Sequence, residues 1–220
     1  MSAKNRDRQG RWRAKTVAFH VSEEENMAID EAVALTGMTK QDYIDLFNMM
    51  HPGFFEEERI KNIPDTAVCE EMILPLAEFD KSSYDKKLDG SVMFGYFTGD
   101  CGELKKDVLR VADDWGKYFT ADERIYCAFI DGKVASFCLV DGMGEYEING
   151  RKIKVAGPGC VGTLPEYRNR GIGLTMVKNV TEILRTEGYD YSYIHYTGVS
   201  GWYKKLGYKT VLKWNGKGII

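Results

Sequence analysis

The chain has 220 residues, 44% of them hydrophobic and 29% charged, and a formal net charge of −3. This composition is typical of a globular protein that buries a core. No stretch approaches the roughly 20 apolar residues of a membrane span, and the basic, polar start lacks the apolar core of a secretory signal. The five cysteines are odd in number and scattered, without a CxxC pair, so we expect reduced thiols, a cytoplasmic location and no metal.

The N-terminal tip is basic although the chain as a whole is acidic. Residues 1–15 carry six lysine and arginine side chains against one acid, Asp7. Such a charge run suits a contact with nucleic acid, and it equally suits a solubilising tail.

The first 50 residues predict one strand followed by two helices. Residues 15–22, KTVAFHVS, alternate apolar and other side chains with the period of a strand. Ser22 is placed to begin a helix, and Gly37 suits its end. Thr39 is expected to cap a second helix, which ends before Pro52. These three elements bury too little surface to fold alone, so we expect them to need a partner.

This order of elements resembles the ribbon-helix-helix fold of antitoxins, in which two chains pair their strands and the ribbon enters the major groove of DNA. The positions that carry the resemblance are Ser22, Glu24, Glu25, Ile29, Asp30, Ala32, Leu35 and Gly37. The resemblance implies a dimerisation and DNA-binding module over residues 1–50, and therefore a homodimer. It implies base-facing positions at Thr16, Ala18 and His20, and phosphate contacts from Arg11, Arg13 and Lys15. The alternative is a helical extension that packs on the following domain.

Residues 51–90 are interpreted as a connector that packs partly on a second domain, with either a strand or a helix in VCEEMILPL. From residue 91 the pattern is mixed α and β. Asp131-Gly132 and Asn149-Gly150 are signals for two-residue hairpin turns. We predict strands at 91–97, 124–130, 133–140, 145–148, 152–157, 160–164, 190–197 and 209–214, and helices at 101–119, 171–188 and within 199–208.

One short motif stands at the start of the predicted helix 171–188. It reads Arg168-Asn169-Arg170-Gly171-Ile172-Gly173. A helix start exposes unpaired N–H groups and a partial positive charge, glycine lets a phosphate approach the backbone, and arginine adds charged donors. The spacing matches neither a Walker loop nor a dinucleotide-binding loop. The motif therefore predicts a different kind of diphosphate site.

With LPEYR before it and GWYKKLGY after it, this motif resembles the GNAT superfamily of acyl-CoA N-acyltransferases, over residues 91–214. The resemblance implies an α+β fold for residues 91–220, with a mixed, mostly antiparallel sheet flanked by helices. It implies acetyl-CoA as cosubstrate and an amine on a small molecule, a peptide or charged tRNA as acceptor. It implies cofactor contacts at Val161, Gly162, Thr163, Arg168, Asn169, Arg170, Gly171, Ile172, Gly173 and Leu174. It also implies that Tyr203 protonates the departing thiolate; the alternative is that Tyr203 only packs in a core.

The family's frequent Asn and Ala before the aromatic-Tyr pair are replaced here by Tyr196 and Val199. The glutamate that many members carry on the strand before the loop is missing from IKVAGPGCVGTL. The general base therefore stays open between His195, Asp141, Glu145 and a water relay. Cys160 is interpreted as a small buried hydrophobic residue, with an acyl-carrying nucleophile as the alternative.

The primary prediction is an acetyl-CoA-dependent N-acetyltransferase in which the amine attacks the thioester directly. One alternative is a toxin-antitoxin-like fusion that acetylates charged tRNA and binds its own operator DNA. Another is a non-catalytic transcriptional regulator that senses acetyl-CoA.

Overall fold

The computed structural model describes residue 33 and residues 36–88 and 90–220. The predicted ribbon strand and most of the first predicted helix lie outside these residues, and the ribbon-helix-helix module stays a prediction. The same holds for the positions expected to contact DNA, which are Arg11, Arg13, Lys15, Thr16, Ala18 and His20.

The described residues contain one eight-stranded sheet. Its strands are β1 (Cys69–Pro75), β2 (Val92–Tyr96), β3 (Ile125–Ile130), β4 (Lys133–Ile148), β5 (Arg151–Thr163), β6 (Tyr191–Thr197), β7 (Lys209–Asn215) and β8 (Gly218–Ile219). Across the sheet they run in the order β2-β3-β4-β5-β6-β1-β7-β8. The pair β5–β6 is parallel and the other pairs are antiparallel, which confirms the predicted mixed, mostly antiparallel sheet.

The helices of the described region are α1 (Lys40–Met50), α2 (Glu58–Lys61), α3 (Cys101–Leu109), α4 (Ile172–Thr186) and α5 (Ser200–Tyr203). The predicted cap at Thr39 is confirmed: its hydroxyl accepts from the Asp42 amide, and the Asp42 carboxylate accepts from the Thr39 amide. The helix predicted over 101–119 is shorter than expected. It ends at Leu109 and is followed by a turn and a short 3-10 helix, because Asp113, Asp114 and Gly116 favour turns over helix interiors.

Both predicted hairpin turns are present. Asp131 and Gly132 have φ of 49° and 74°, and Asn149 and Gly150 have φ of 51° and 76°, as two-residue turns with both central residues left-handed require. The strands beside the second turn are longer than predicted. Both strands are continuous, because shifts in the β4–β5 register accommodate the glycines while the strands remain paired.

The connector supplies an interior strand. β1 pairs with β6 on one side and with β7 on the other, so residues far apart in the chain complete one sheet. Met72 and Ile73 are fully buried, as expected for an apolar run covered on both faces.

Helices cover both faces of the sheet. Met176, Val180 and Leu184 of α4 pack with Cys138 and Val140 of β4 on one face. The opposite face is covered by α1, above β5, β6 and β7, and by α3, above β3 and β4. None of the helices in the described ranges is both long and apolar enough to cross a membrane.

Candidate active site

A cavity of about 540 Å³ opens beside the start of α4. Its walls are the end of β5, the loop 167–171, the first turn of α4 and the helix α5. Every residue implied as a cofactor contact lines this cavity except Arg170, and Tyr203 lines it as well. The fold thus brings together residues that the motif and the late helix suggested separately.

The strands β5 and β6 diverge next to the cavity. They pair in parallel at Val155–Tyr191 and Ala156–Ser192, and within the described chain no further pair follows although both strands continue. Val161, Gly162 and Thr163 lie beyond the point of divergence and face the cavity. On its other side β5 stays paired with β4, so this end of the strand presents one unpaired backbone edge.

The start of α4 has a glycine N-cap and, among the described residues, no side-chain cap. Gly171 is its N-cap residue, with a left-handed φ of 83° that glycine adopts without strain. No side chain of the described chain caps this helix start, so its first amide groups remain available to a ligand.

The two motif glycines also allow other parts of the protein to pack closely against the start of α4. A Cβ at Gly173 would lie 2.5 Å from Thr163 Oγ1, so this glycine allows α4 to pack closely against the end of β5. A Cβ at Gly171 would overlap the side chain of Lys86 and lie 3.0 Å from Tyr84 Oη.

The two motif arginines are placed differently. Arg168 lines the cavity, and its Nε donates to the Thr163 carbonyl at 3.0 Å, so it fastens the loop to β5. Arg170 lies beside a second, smaller cavity and over the ring of Tyr167. The structure therefore does not bring Arg170 to the cavity wall.

Tyr203 is buried at the inner wall of the cavity, 6% exposed. Its ring packs against Trp202 and Tyr208, with centroid distances of 4.8 Å and 5.9 Å. Burial raises the pKa of its hydroxyl far above the usual value, so the group keeps its proton at neutral pH. Tyr203 is thus a packed side chain that lines the cavity and carries a protonated hydroxyl.

Tyr84 and Lys86, which were not predicted as site residues, line the cavity from the connector. Lys86 Nζ donates to the Asn169 carbonyl at 3.4 Å, and Lys178 Nζ of α4 donates to the Tyr84 carbonyl at 2.8 Å. No local pattern marks these residues, because they reach the loop only through the path of the chain after β1.

His195, one of the candidate bases, belongs to a buried polar network on the face covered by α1. Its Nδ1 lies 3.0 Å from Oε2 of Glu71, which is fully buried. Glu71 also accepts from Trp214 Nε1 at 2.7 Å and from the Tyr196 amide at 3.1 Å. The ring of His195 stacks on His51 with a centroid distance of 3.9 Å. These contacts give His195 a structural role away from the cavity wall.

The remaining candidates differ in environment. Glu145 is exposed and pairs with Lys154 at 3.2 Å. Asp141 is half-buried, and burial together with Glu123 raises the pKa of its carboxyl to about 6. Burial, assisted by Asp141, raises the pKa of the Cys160 thiol to about 12. A protonated thiol is a weak nucleophile, which favours the packing role for Cys160.

Metal-ligating side chains do not cluster at the cavity. In the part of the chain that the structure describes, no group of three or more His, Cys, Asp or Glu side chains is arranged to hold a metal ion.

Residues 103–211 match the family model of the acetyltransferase (GNAT) domain. A curated relative, an uncharacterised N-acetyltransferase of Chlorobaculum tepidum, is 27% identical over 128 residues, which are 57% of this chain and 72% of that protein. A solved structure, the GCN5-related glucosamine N-acetyltransferase region of a fungal multi-domain GH3 β-N-acetylglucosaminidase, is similar with a TM-score of 0.57 and 20% identity. That match covers 70% of this chain but only 20% of the fungal chain, and it concerns the fold alone.

Proposed function

We propose that this protein, whose residues 103–211 match the family model of the GNAT acetyltransferase domain, transfers an acetyl group from acetyl-CoA to an amine. The observation that carries the proposal is the single cavity that joins an unpaired strand edge, an uncapped helix start and a buried tyrosine. Each feature suits a different part of acetyl-CoA.

The diphosphate suits the start of α4. Amide groups of the loop and first turn point outward there, and the helix dipole favours a negative charge. The left-handed Gly171 turns the chain so that these amides converge, and Arg168 and Lys86 add positive charge at the same wall. The site therefore fits an anionic group held mainly by backbone donors.

The pantetheine arm suits the free edge of β5. Backbone carbonyl and N–H groups alternate along this edge. An extended ligand hydrogen-bonds to Val161, Gly162 and Thr163 as an added strand does. The arm leads from the diphosphate toward Tyr203 and places the thioester beside the hydroxyl.

In the reaction the amine nitrogen attacks the thioester carbonyl, a C–N bond forms and the C–S bond breaks. The Tyr203 hydroxyl gives its proton to the departing CoA thiolate and regains one from water. A thiolate that leaves into a partly dry cavity needs such a donor, which contributes typically 10²–10⁴-fold to the rate.

Tyr203→Phe tests the proposal, because it removes the hydroxyl and keeps the packed ring. We expect kcat for acetyl transfer to fall by about 100-fold, with the Kd for acetyl-CoA from calorimetry within about twofold of the wild type. Tyr208→Phe, which removes the hydroxyl of a neighbouring ring that does not line the cavity, is the matched control and should retain most of kcat. Unchanged turnover in Tyr203→Phe would contradict the assigned role, and acetyl-CoA binding without any transfer by the wild type would favour the sensor alternative.

A further inference from the structure

We propose that Asp141 of β4 is the general base that removes the proton from the acceptor amine, an inference that rests on the acetyl-transfer function proposed above. The strand before the motif loop has no carboxylate of its own, so a base must come from elsewhere in the fold.

The Asp141 carboxylate occupies side-chain space that β5 leaves empty. Asp141 pairs with Gly157, and a Cβ at Gly159 would overlap its Oδ2 atom. The glycine therefore allows a carboxylate from the neighbouring strand to lie against β5 just before the residues that line the cavity.

The carboxylate also lies on the sheet face that α1 and α3 cover. Along β4, Leu139 packs in the core under α3, and Met143 packs against the core under α1. Asp141 stands between them on the same face, opposite to Val140, which faces α4. It thus lies between the two helix-covered regions, and its side chain is half-buried.

Asp141 and Tyr203 lie on opposite faces of the sheet near one point of β5. The Cys160 thiol interacts electrostatically with both groups, and the backbone of Cys160 is left-handed, with φ of 47°. A thioester held along β5 is therefore flanked by a carboxylate on the acceptor side and a hydroxyl on the α4 side.

The carboxylate is free to accept a proton. Across the described ranges, the Asp141 carboxylate has neither a hydrogen bond nor an ion pair. The titratable groups that act on it are Glu123 in front of β3, Cys138 on β4 and Cys160 on β5. Burial keeps both thiols protonated. Burial of the carboxyl, assisted by Glu123, raises the pKa of Asp141 to about 6. A base of this strength is ionised at neutral pH and takes up a proton readily.

The proton balance closes around these two groups. Asp141 takes one proton from the attacking nitrogen as the C–N bond forms, and Tyr203 supplies one to the CoA thiolate as the C–S bond breaks. The products are the amide and CoA thiol, and both side chains return to their starting states by exchange with water.

The test is the pH profile of kcat/KM in Asp141→Asn, which is nearly isosteric. We expect kcat/KM to fall by about 100-fold or more at pH 7.5, with acetyl-CoA affinity retained. The acidic limb of the wild-type profile, where kcat/KM declines as the pH falls through about 6, should disappear. The Tm should stay equal or rise, because the amide removes a half-buried charge that has no partner. Glu145→Gln on the same strand is the matched control and should leave the profile unchanged.

A second variant keeps the inference testable if Asp141→Asn folds poorly. Glu123→Gln removes the neighbouring charge, so the limb near pH 6 should move to lower pH at low salt. An Asp141→Asn protein that binds acetyl-CoA and retains kcat/KM within threefold, or a limb that stays in place in Glu123→Gln, would overturn the assignment. Either result leaves the proposed acetyl transfer intact, whereas a wild type without transfer activity would overturn that function first.

Discussion

At the scale of single residues, the buried network around Glu71 shows how this protein places charge inside its core. Three donors converge on one fully buried carboxylate, and each comes from a different position on β6 or β7. A buried carboxylate is tolerated only when donors satisfy it in this way. His195 is thereby held by a contact that strand alternation alone could not reveal.

The stacked rings of His51 and His195 predict that the free energy of unfolding depends on pH. Burial and the neighbouring His195 lower the pKa of His51 from 6.5 to about 4, so the folded protein favours the neutral ring while the unfolded chain binds a proton. This contribution is complete above pH 6.5 and is lost as the pH falls toward 4. Urea unfolding should show the wild type losing about 1–2 kcal/mol more than His51→Phe between pH 7 and pH 4.5, after allowance for partial exposure. Parallel losses in the two proteins would contradict this explanation.

At the scale of elements, the connector segment after β1 crosses the motif loop. Lys86 lies over Gly171, and α4 holds the segment through the hydrogen bond from Lys178 to Tyr84. The proposed diphosphate site therefore takes one wall from outside the residues that match the acetyltransferase family.

This arrangement predicts that Lys86 strengthens CoA binding. Lys86→Met should raise the Kd for CoA about three- to tenfold, which corresponds to roughly 0.7–1.4 kcal/mol for one partly solvated charge. Lys81→Met, on the same segment but away from the cavity wall, is the control and should bind CoA as the wild type does. Equal affinities of the two variants in calorimetric titration would show that Lys86 does not contact the phosphates.

Features set by residues close together in the chain could be predicted from the sequence, and features set by distant residues could not. The strands and helices after residue 91, both hairpin turns and the Thr39 cap were predictable, because each depends on residues close together in the chain. The position of Asp141 against Gly159 and the partners of His195 were not, because they depend on strand register and on β1, which pairs with residues more than 100 positions away. The length of α3 was overestimated because an apolar periodicity continued past residues that favour turns.

At the scale of the whole molecule, β1 makes the sheet depend on residues outside the matched domain. A fragment of residues 91–220 would leave β6 and β7 without the strand that lies between them. We expect this fragment to lack a cooperative thermal transition in circular dichroism, whereas the full chain should show one. A fragment that unfolds cooperatively at the Tm of the full chain would contradict the structural role of β1.

Transfer of an acetyl group from acetyl-CoA bound in the cavity to an amine can be measured directly. Wild-type protein is incubated with labelled acetyl-CoA and a mixture of small amines, peptides and charged tRNA, and the label in each fraction is counted. We expect enzyme-dependent label in an amine acceptor, and we expect excess unlabelled acetyl-CoA to reduce it. Label in no acceptor, from a protein shown to bind acetyl-CoA, would contradict it.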